Sequence, residues 1–308
     1  MSDGSVGVPV TPPDVGQKQV DCDIVGGVYR QRVVSLSYGY HSPSGENRPV
    51  GVYDGHLNTT LFLDSVGMNK IAGHVKFGGF GQRNDCSTSA SGDDCWEGVS
   101  TTCPIPNQTT GEQLTLVSTS AADDGSPVGT GILTLDVHGL DIDGNPQSEI
   151  VTMNGVTPVN TVRINWRFNQ SIHMETVGTG GVAAGTISVY RTGDATRVYN
   201  VITPGGNMSM NAARMVPAGK IFYLKARTVT ASSSKTMSIR QRATTTFEDV
   251  LTNGFAYLFK QPWLLFNAGI TEVLPIPEKY PEFSIVKATA YSVQAGGGYS
   301  FSYGGWYE

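Results

Sequence analysis

The chain has 308 residues, enough to bury a sizeable core, with 38 glycines, 15% charged residues and a formal net charge of −5. That composition suits a turn-rich all-β protein better than a helical enzyme, and the negative balance argues against a nucleic-acid groove, which needs a basic patch to release counterions. No stretch approaches the ~20 apolar residues of a membrane span, and residues 1–20 lack the charged start and apolar run of a secretory leader, so a cytoplasmically made protein with no membrane span and no signal peptide is expected.

Pro9, Pro12 and Pro13 mark residues 1–19 as an extended arm, either a disordered tail or a docking arm that orders against neighbours. Val20 to Val25 and Val28 to Tyr40 read as two strands around a Gly26-Gly27 turn. Arg30 and Arg32 share one face of the second, which reads as a solvated face rather than an anion clamp. Leu61–Leu63 and Ile71–Phe77 are short apolar runs expected as strands. The Phe77-Gly-Gly-Phe-Gly81 run lacks the Lys and Ser or Thr that a phosphate loop needs. Cys86, Cys95 and Cys103 lie in a Ser, Gly and Asp-rich loop, with Cys22 far upstream. Their gaps of nine and eight, with no histidine among them, do not match the close ligand pairs of a zinc site. Residues 20–110 are therefore read as a small β unit with a Cys-containing loop.

From Gly111 to residue 245 short strands follow one another at sandwich spacing, and a β-sandwich or jelly-roll core domain is expected there. Ile132, Thr134, Asp136 and His138 alternate with Leu133, Leu135 and Val137, giving one polar and one apolar face. Asp143-Gly144 and Asn154-Gly155 are hairpin turns. Val162, Ile164, Trp166 and Phe168 against Arg163, Asn165 and Arg167 form the clearest strand pattern in the chain. Ser234 to Arg242 reads as a charged edge strand.

Chemistry is sparse in this region. Asp141 and Asp143 lack the remaining ligands of a calcium loop, and Gly178-Thr-Gly180 is followed by a strand rather than the helix of a dinucleotide site. His138 and His173 stand on separate strands and read as surface side chains. No catalytic residue, cofactor site or metal site is assigned.

After residue 245 the composition turns aromatic. Phe255–Phe259, Trp263–Phe266 and Ile270–Ile276 are broken by Pro262, Pro275, Pro277 and Pro281, and Glu282–Val293 is one more strand. The tail carries Tyr299, Phe301, Tyr303, Trp306 and Tyr307. Residues 246–308 thus read either as strands completing the core or as a subunit interface, for which those five aromatics are the candidates.

Gly129-Thr-Gly-Ile-Leu-Thr-Leu-Asp-Val-His-Gly-Leu-Asp141, Glu149-Ile-Val-Thr-Met-Asn-Gly-Val-Thr-Pro-Val159, the glycine-rich 178–187 loop and Val216-Pro-Ala-Gly-Lys220 together resemble tailed-bacteriophage virion structural proteins of the neck, collar, fibre and head-decoration kind. The resemblance covers about residues 111–243. It implies a non-enzymatic virion component, expected as a homotrimer bound to other virion proteins of the capsid, portal or neck, or tail. The alternative it leaves is a receptor-binding module that stacks host-surface glycan on exposed rings such as Tyr303 or Trp306. A virion leaves the reducing cell, so Cys22, Cys86, Cys95 and Cys103 are candidates for a disulfide as well as for ordinary reduced thiols.

Overall fold

The computed structural model describes residues 73–231, 235–244 and 257–308, together with the backbone of four short strands before residue 73. The arm expected over 1–19 and the strand expected at Leu61–Leu63 lie outside the described residues. The chain divides into two units, Met1–Asp64 and Ser65–Glu308.

In the first unit β1 (Val20–Val25) and β2 (Val28–Val33) pair antiparallel with Val25 opposite Val28, the register that a two-residue Gly26-Gly27 connection demands. β3 (Val52–Tyr53) and β4 (His56–Leu57) form a second small ladder.

The second unit is all-β among its described residues. The chain enters through β5 (Val75–Cys86) and the short β6 (Asp93–Asp94). It then forms β7 (Leu114–Ser118), β8 (Ile132–Asp141), β9 (Pro146–Thr152), β10 (Val159–Asn160), β11 (Trp166–Val177), β12 (Ile187–Arg191) and β13 (Asp194–Ile202). The last group is β14 (Arg214–Met215), β15 (Phe222–Ala231), β16 (Thr236–Ala243), β17 (Leu258–Phe266), β18 (Gly269–Tyr280), β19 (Ile285–Ser292) and β20 (Gly297–Tyr307).

Two pairs of antiparallel sheets result. The inserted pair has the orders β10-β7-β12-β13 and β11-β8-β9. Leu114, Leu116, Ile187 and Val189 from one sheet meet Leu135, Val137, Val151 and Ile172 from the other in a single cluster. The outer pair has the orders β14-β19-β16-β17, with β6 on β19, and β18-β15-β20-β5. Its cluster joins Met237, Ile239, Trp263 and Ala288 to Phe222, Leu224, Tyr299 and Phe301. Two sheets sharing one core is how strands of period two bury one face each. Leu140 and Phe168 of the inserted pair pack on Met215 and Ile285 of the outer pair, which joins the two.

The boundaries expected at residues 110 and 245 are crossed by this pairing. β5 ladders with β20, and β15 and β16 ladder with strands from Leu258 onward. Strand spacing along the chain reports that strands exist, whereas the partner of each is set by which apolar faces meet.

Three local expectations change for identifiable reasons. Val162 and Ile164 are exposed and the strand begins only at Trp166. The carboxylate of Glu149 accepts the amides of Val162 (2.6 Å) and Arg163 (3.0 Å), drawing that segment across β9 and out of any ladder. Ile132 joins the core despite its place in the polar series, because Thr176 pairs with Thr134 and Val177 with Ile132, a bulge that reverses the alternation. β16 is interior, flanked by β17 and β19, and its Arg240 and Arg242 lie over the Phe259 ring at 5.1 and 4.7 Å. The hairpin expected at Asp143-Gly144 is present, with Gly144 at φ +84° and Asp141 Oδ1 accepting the Asn145 amide at 2.8 Å.

Candidate assembly surface

β17 and β18 are joined by Asn267 and Ala268, with Asn267 in the left-handed region at φ +44°. The connection crosses from one sheet of the outer pair to the other. Among the described residues β17 pairs only with β16 and β18 only with β15, so each is an edge. On β17 the alternation is regular: Trp263 and Leu265 point into the core, while Leu264 (72% exposed) and Phe266 face outward. On β18 the ladder to β15 skips from Val273 opposite Ala226 to Glu278 opposite Leu224. The intervening bulge thrusts out Ile276, which is 83% exposed between Pro275 and Pro277. Lys225 Nζ donates to the Leu274 and Pro275 carbonyls and so fixes the bulge.

Leu258, Phe259, Val273 and Ile276 add to Leu264 and Phe266, which makes this edge rich in large apolar side chains left in solvent. Exposed apolar groups concentrated on open edge strands mark an interaction surface or an aggregation hazard. Pro262, Pro275 and Pro277 carry no amide donor, which blocks a continuous added strand and leaves side-chain packing as the mode of contact.

The aromatic tail is placed elsewhere. Tyr299, Phe301 and Tyr303 belong to the outer core, and Tyr303 Oη donates to the Ala212 and Val286 carbonyls at 3.0 and 3.1 Å. Trp306 is buried and stacks on Tyr223 at 5.5 Å, and the half-buried Tyr307 meets Phe77 edge-on at 5.4 Å. These five residues complete a core strand. Neither Tyr303 nor Trp306 offers the free ring face that the glycan reading assigned to it.

The cysteines are also absorbed by packing. Cys86, Cys95 and Cys103 are free and buried, which is the reduced-thiol alternative and not a disulfide among these three; the Cys22 side chain lies outside the described residues. Ionic hydrogen bonds hold the Ser, Gly and Asp-rich loop instead. Asp93 accepts the Ser87 amide and hydroxyl, both at 2.8 Å, and pairs with Arg83 at 3.3 Å. Asp94 accepts the Cys103 amide at 2.9 Å and pairs with buried Lys287 at 2.9 Å.

Burial, reinforced by Asp93, pushes the Cys86 thiol up to about 12, and burial with Asp94 pushes Cys103 up to about 12, from an ordinary 9.0. Above pH 9.0 the unfolded chain sheds protons that the folded chain keeps, so stability must fall as pH rises from there toward about 12. A lower urea midpoint at about pH 10 than at neutrality is expected. In a Cys22→Ser variant, maleimide should label none of the three remaining thiols natively and all three in denaturant. Rapid native labelling, or equal midpoints at the two pH values, would contradict this placement.

One grouping escaped the linear reading. Asp136 and His138 project from the outward face of β8, and His173 stands opposite Asp136 on β11. Asp136 Oδ2 lies 2.8 Å from His138 Nε2 and 3.7 Å from His173 Nε2, and the two imidazoles stack at 4.8 Å. Two residues of this trio alternate visibly along β8, but the third arrives through a register that no spacing reveals.

No family model matches the chain, and no curated protein matches it. Among solved structures the chain is similar to a mutant VP2 protein of infectious bursal disease virus, in derived T=1 particles. The identity is 10%, the match covers 80% of this chain and 76% of that one, and the TM-score is 0.15, a likeness too slight to carry an argument.

Proposed function

We propose that this chain is a non-enzymatic structural component of a tailed-phage virion, an accessory subunit of the capsid or neck that acts through assembly with copies of itself. The observation that carries the assembly part is the open apolar edge of β17 and β18, with Leu264 and the Pro275-Ile276-Pro277 knob in solvent. A second copy is the occupant that fits it, since a symmetric particle offers repeated sites and a closed ring of subunits covers such an edge on every member. A trimer is the form expected from the resemblance, which is also what supports the phage setting.

Light scattering on the eluting protein tests this reading. The native chain should run as an oligomer, and a Leu264→Lys/Ile276→Lys variant as a folded monomer with unchanged circular dichroism. Both side chains are so exposed that the substitutions should alter subunit stability by no more than about 0.5 kcal/mol. A monomeric native chain, or a variant that stays assembled, would sink the interface. For the setting, immunogold labelling of purified particles should decorate head or neck. Label at the distal tail would favour receptor binding instead, and no label on intact or opened particles would remove the virion reading.

A further inference from the structure

The geometry points to a divalent transition-metal site made by Asp136, His138 and His173 on the outer face of the inserted sheet pair. Each of the three offers one ligand atom, and these atoms all lie within 4.8 Å of one another. A tetrahedral ion with bonds of about 2.1 Å places its ligands about 3.4 Å apart, and the separations of 2.8 and 3.7 Å from Asp136 Oδ2 bracket that value. Two imidazoles and one carboxylate suit zinc, nickel or cobalt better than calcium or magnesium, which take oxygen ligands.

The hydrogen bonding of the trio leaves its ligand atoms uncommitted. Although His138 Nε2 approaches Asp136 Oδ2 closely, it has no partner with hydrogen-bond geometry, and Asp136 Oδ1, also buried, has none either. Buried polar atoms are normally satisfied, so two orphans side by side mark a place where another atom can sit. The backbone beneath is rigid: β8 is the central strand of its sheet, and Leu135 and Val137, flanking Asp136, are locked in the core. Binding requires only that the near-parallel imidazoles tilt toward the ion.

The site also has an open side. His138 and His173 both line a groove of about 340 Å³ that runs toward Lys76, Gln170, Arg214 and Tyr307. Both imidazole side chains are about 40% exposed, so the trio lies at the protein surface, within reach of an incoming ion. Three protein ligands with an open position define a site that takes water or an incoming donor group as its fourth ligand. The assembly edge on β17 and β18 contributes no ligand to it.

The test uses the metal-stripped full-length chain titrated with zinc by calorimetry, with cobalt as a spectroscopic probe. One equivalent should bind, and thermal unfolding should shift upward with zinc, since an ion held by the folded state alone stabilises it. His138→Ala, and separately the gentler His173→Gln and Asp136→Asn, should each weaken binding at least tenfold while leaving the metal-free melting temperature unchanged. Bound cobalt should show visible ligand-field bands without the near-ultraviolet thiolate band that the cysteines would produce. No binding, binding that persists in a His138→Ala/His173→Ala variant, or a thiolate band would each overturn the assignment.

Discussion

Replacing Asp123 with alanine is expected to cost about 4 kcal/mol, because three backbone amides lose a buried acceptor at once. Asp123 is fully buried. Its Oδ1 accepts the amides of Ile132 (2.8 Å) and Ala184 (2.9 Å), and its Oδ2 accepts the Gly185 amide (2.9 Å) and the Ser118 hydroxyl (2.6 Å). One carboxylate thus ties together the end of β7, the start of β8 and the loop before β12. Asparagine is the sharper variant. It keeps the shape but has one acceptor oxygen, so with its amide nitrogen at the Oδ2 position Ser118 can turn to accept while the Gly185 amide is stranded. A loss of about 2 kcal/mol is expected, that of one unpaired buried donor. Urea unfolding of both variants measures this, and an asparagine variant as stable as the parent would show that the carboxylate is not the organiser described.

The same knot accounts for the glycines around it. A side chain at Gly131 would stand 2.1 Å from Asp123 Oδ1, and one at Gly178 would stand 2.2 Å from the Gly129 carbonyl. The Gly178 and Gly180 amides donate to the Gly131 and Thr130 carbonyls, both at 2.7 Å. The glycine-rich segments 129–131 and 178–185 are therefore two loops closing on one buried acid.

Arg227→Ala is expected to cost about 2–3 kcal/mol, less than the full penalty of breaking a buried ion pair because the carboxylates it leaves, Glu272 and Glu278, are about 30% exposed. Arg227 Nε donates to Glu272 at 2.8 Å, and its terminal nitrogen donates to Glu278 at 3.0 Å and to Gln241 at 2.7 Å. Its guanidinium lies over the Trp263 ring at 5.3 Å. Gln241 in turn donates to the Tyr280 hydroxyl at 2.8 Å, and Trp263 Nε1 donates to Glu272 at 3.0 Å. The network thus clamps β15, β16, β17 and β18 from both sheets behind the open edge. Lysine should recover only part of the loss, since it lacks the planar fork that reaches three acceptors. An Arg227→Met/Glu272→Gln/Glu278→Gln variant should recover most of it. An alanine variant losing under about 1 kcal/mol would mean that solvent satisfies these groups already.

Acid should probe the same clamp. Partial burial pushes the Glu272 carboxyl up, but the Trp263 indole and Arg227 outweigh it and hold the group below its ordinary 4.5. Its contribution is present above that value and is lost as pH falls through the lower folded value.

How much of this was legible in the chain depends on the distance over which each feature is decided. The all-β class, the Gly26-Gly27 register and the Asp143-Gly144 turn follow from residues within a few positions of one another. The aromatic tail could be read as core or interface because its hydrophobicity is the same in both, and only the burial of Phe301 between Tyr303 and Trp263 distinguishes them. The strand expected through Val162 and Ile164 had faultless alternation, and a glutamate on a neighbouring strand overrode it. Asp123 carried no signal, since an aspartate in a Ser-Ala-Ala-Asp-Asp-Gly run resembles any turn residue until four donors converge on it. The Asp136, His138 and His173 trio was hidden by the same cause, a cross-strand neighbour that spacing cannot display.

The pairing of β5 with β20 joins residues from 211 (Cys86 with Gly297) to 232 positions apart (Val75 with Tyr307), which has a consequence during synthesis on the ribosome. By the time Ile202 has emerged, every strand of the inserted sheet pair is available and its core can close. β5 must wait, with its glycine-rich edge and Phe77 uncovered, until β20 is made. The nascent protein therefore carries a finished inner module on an unfinished frame. Translation interrupted shortly after Ile202 should leave residues 112–202 resistant to protease while β5 is cleaved.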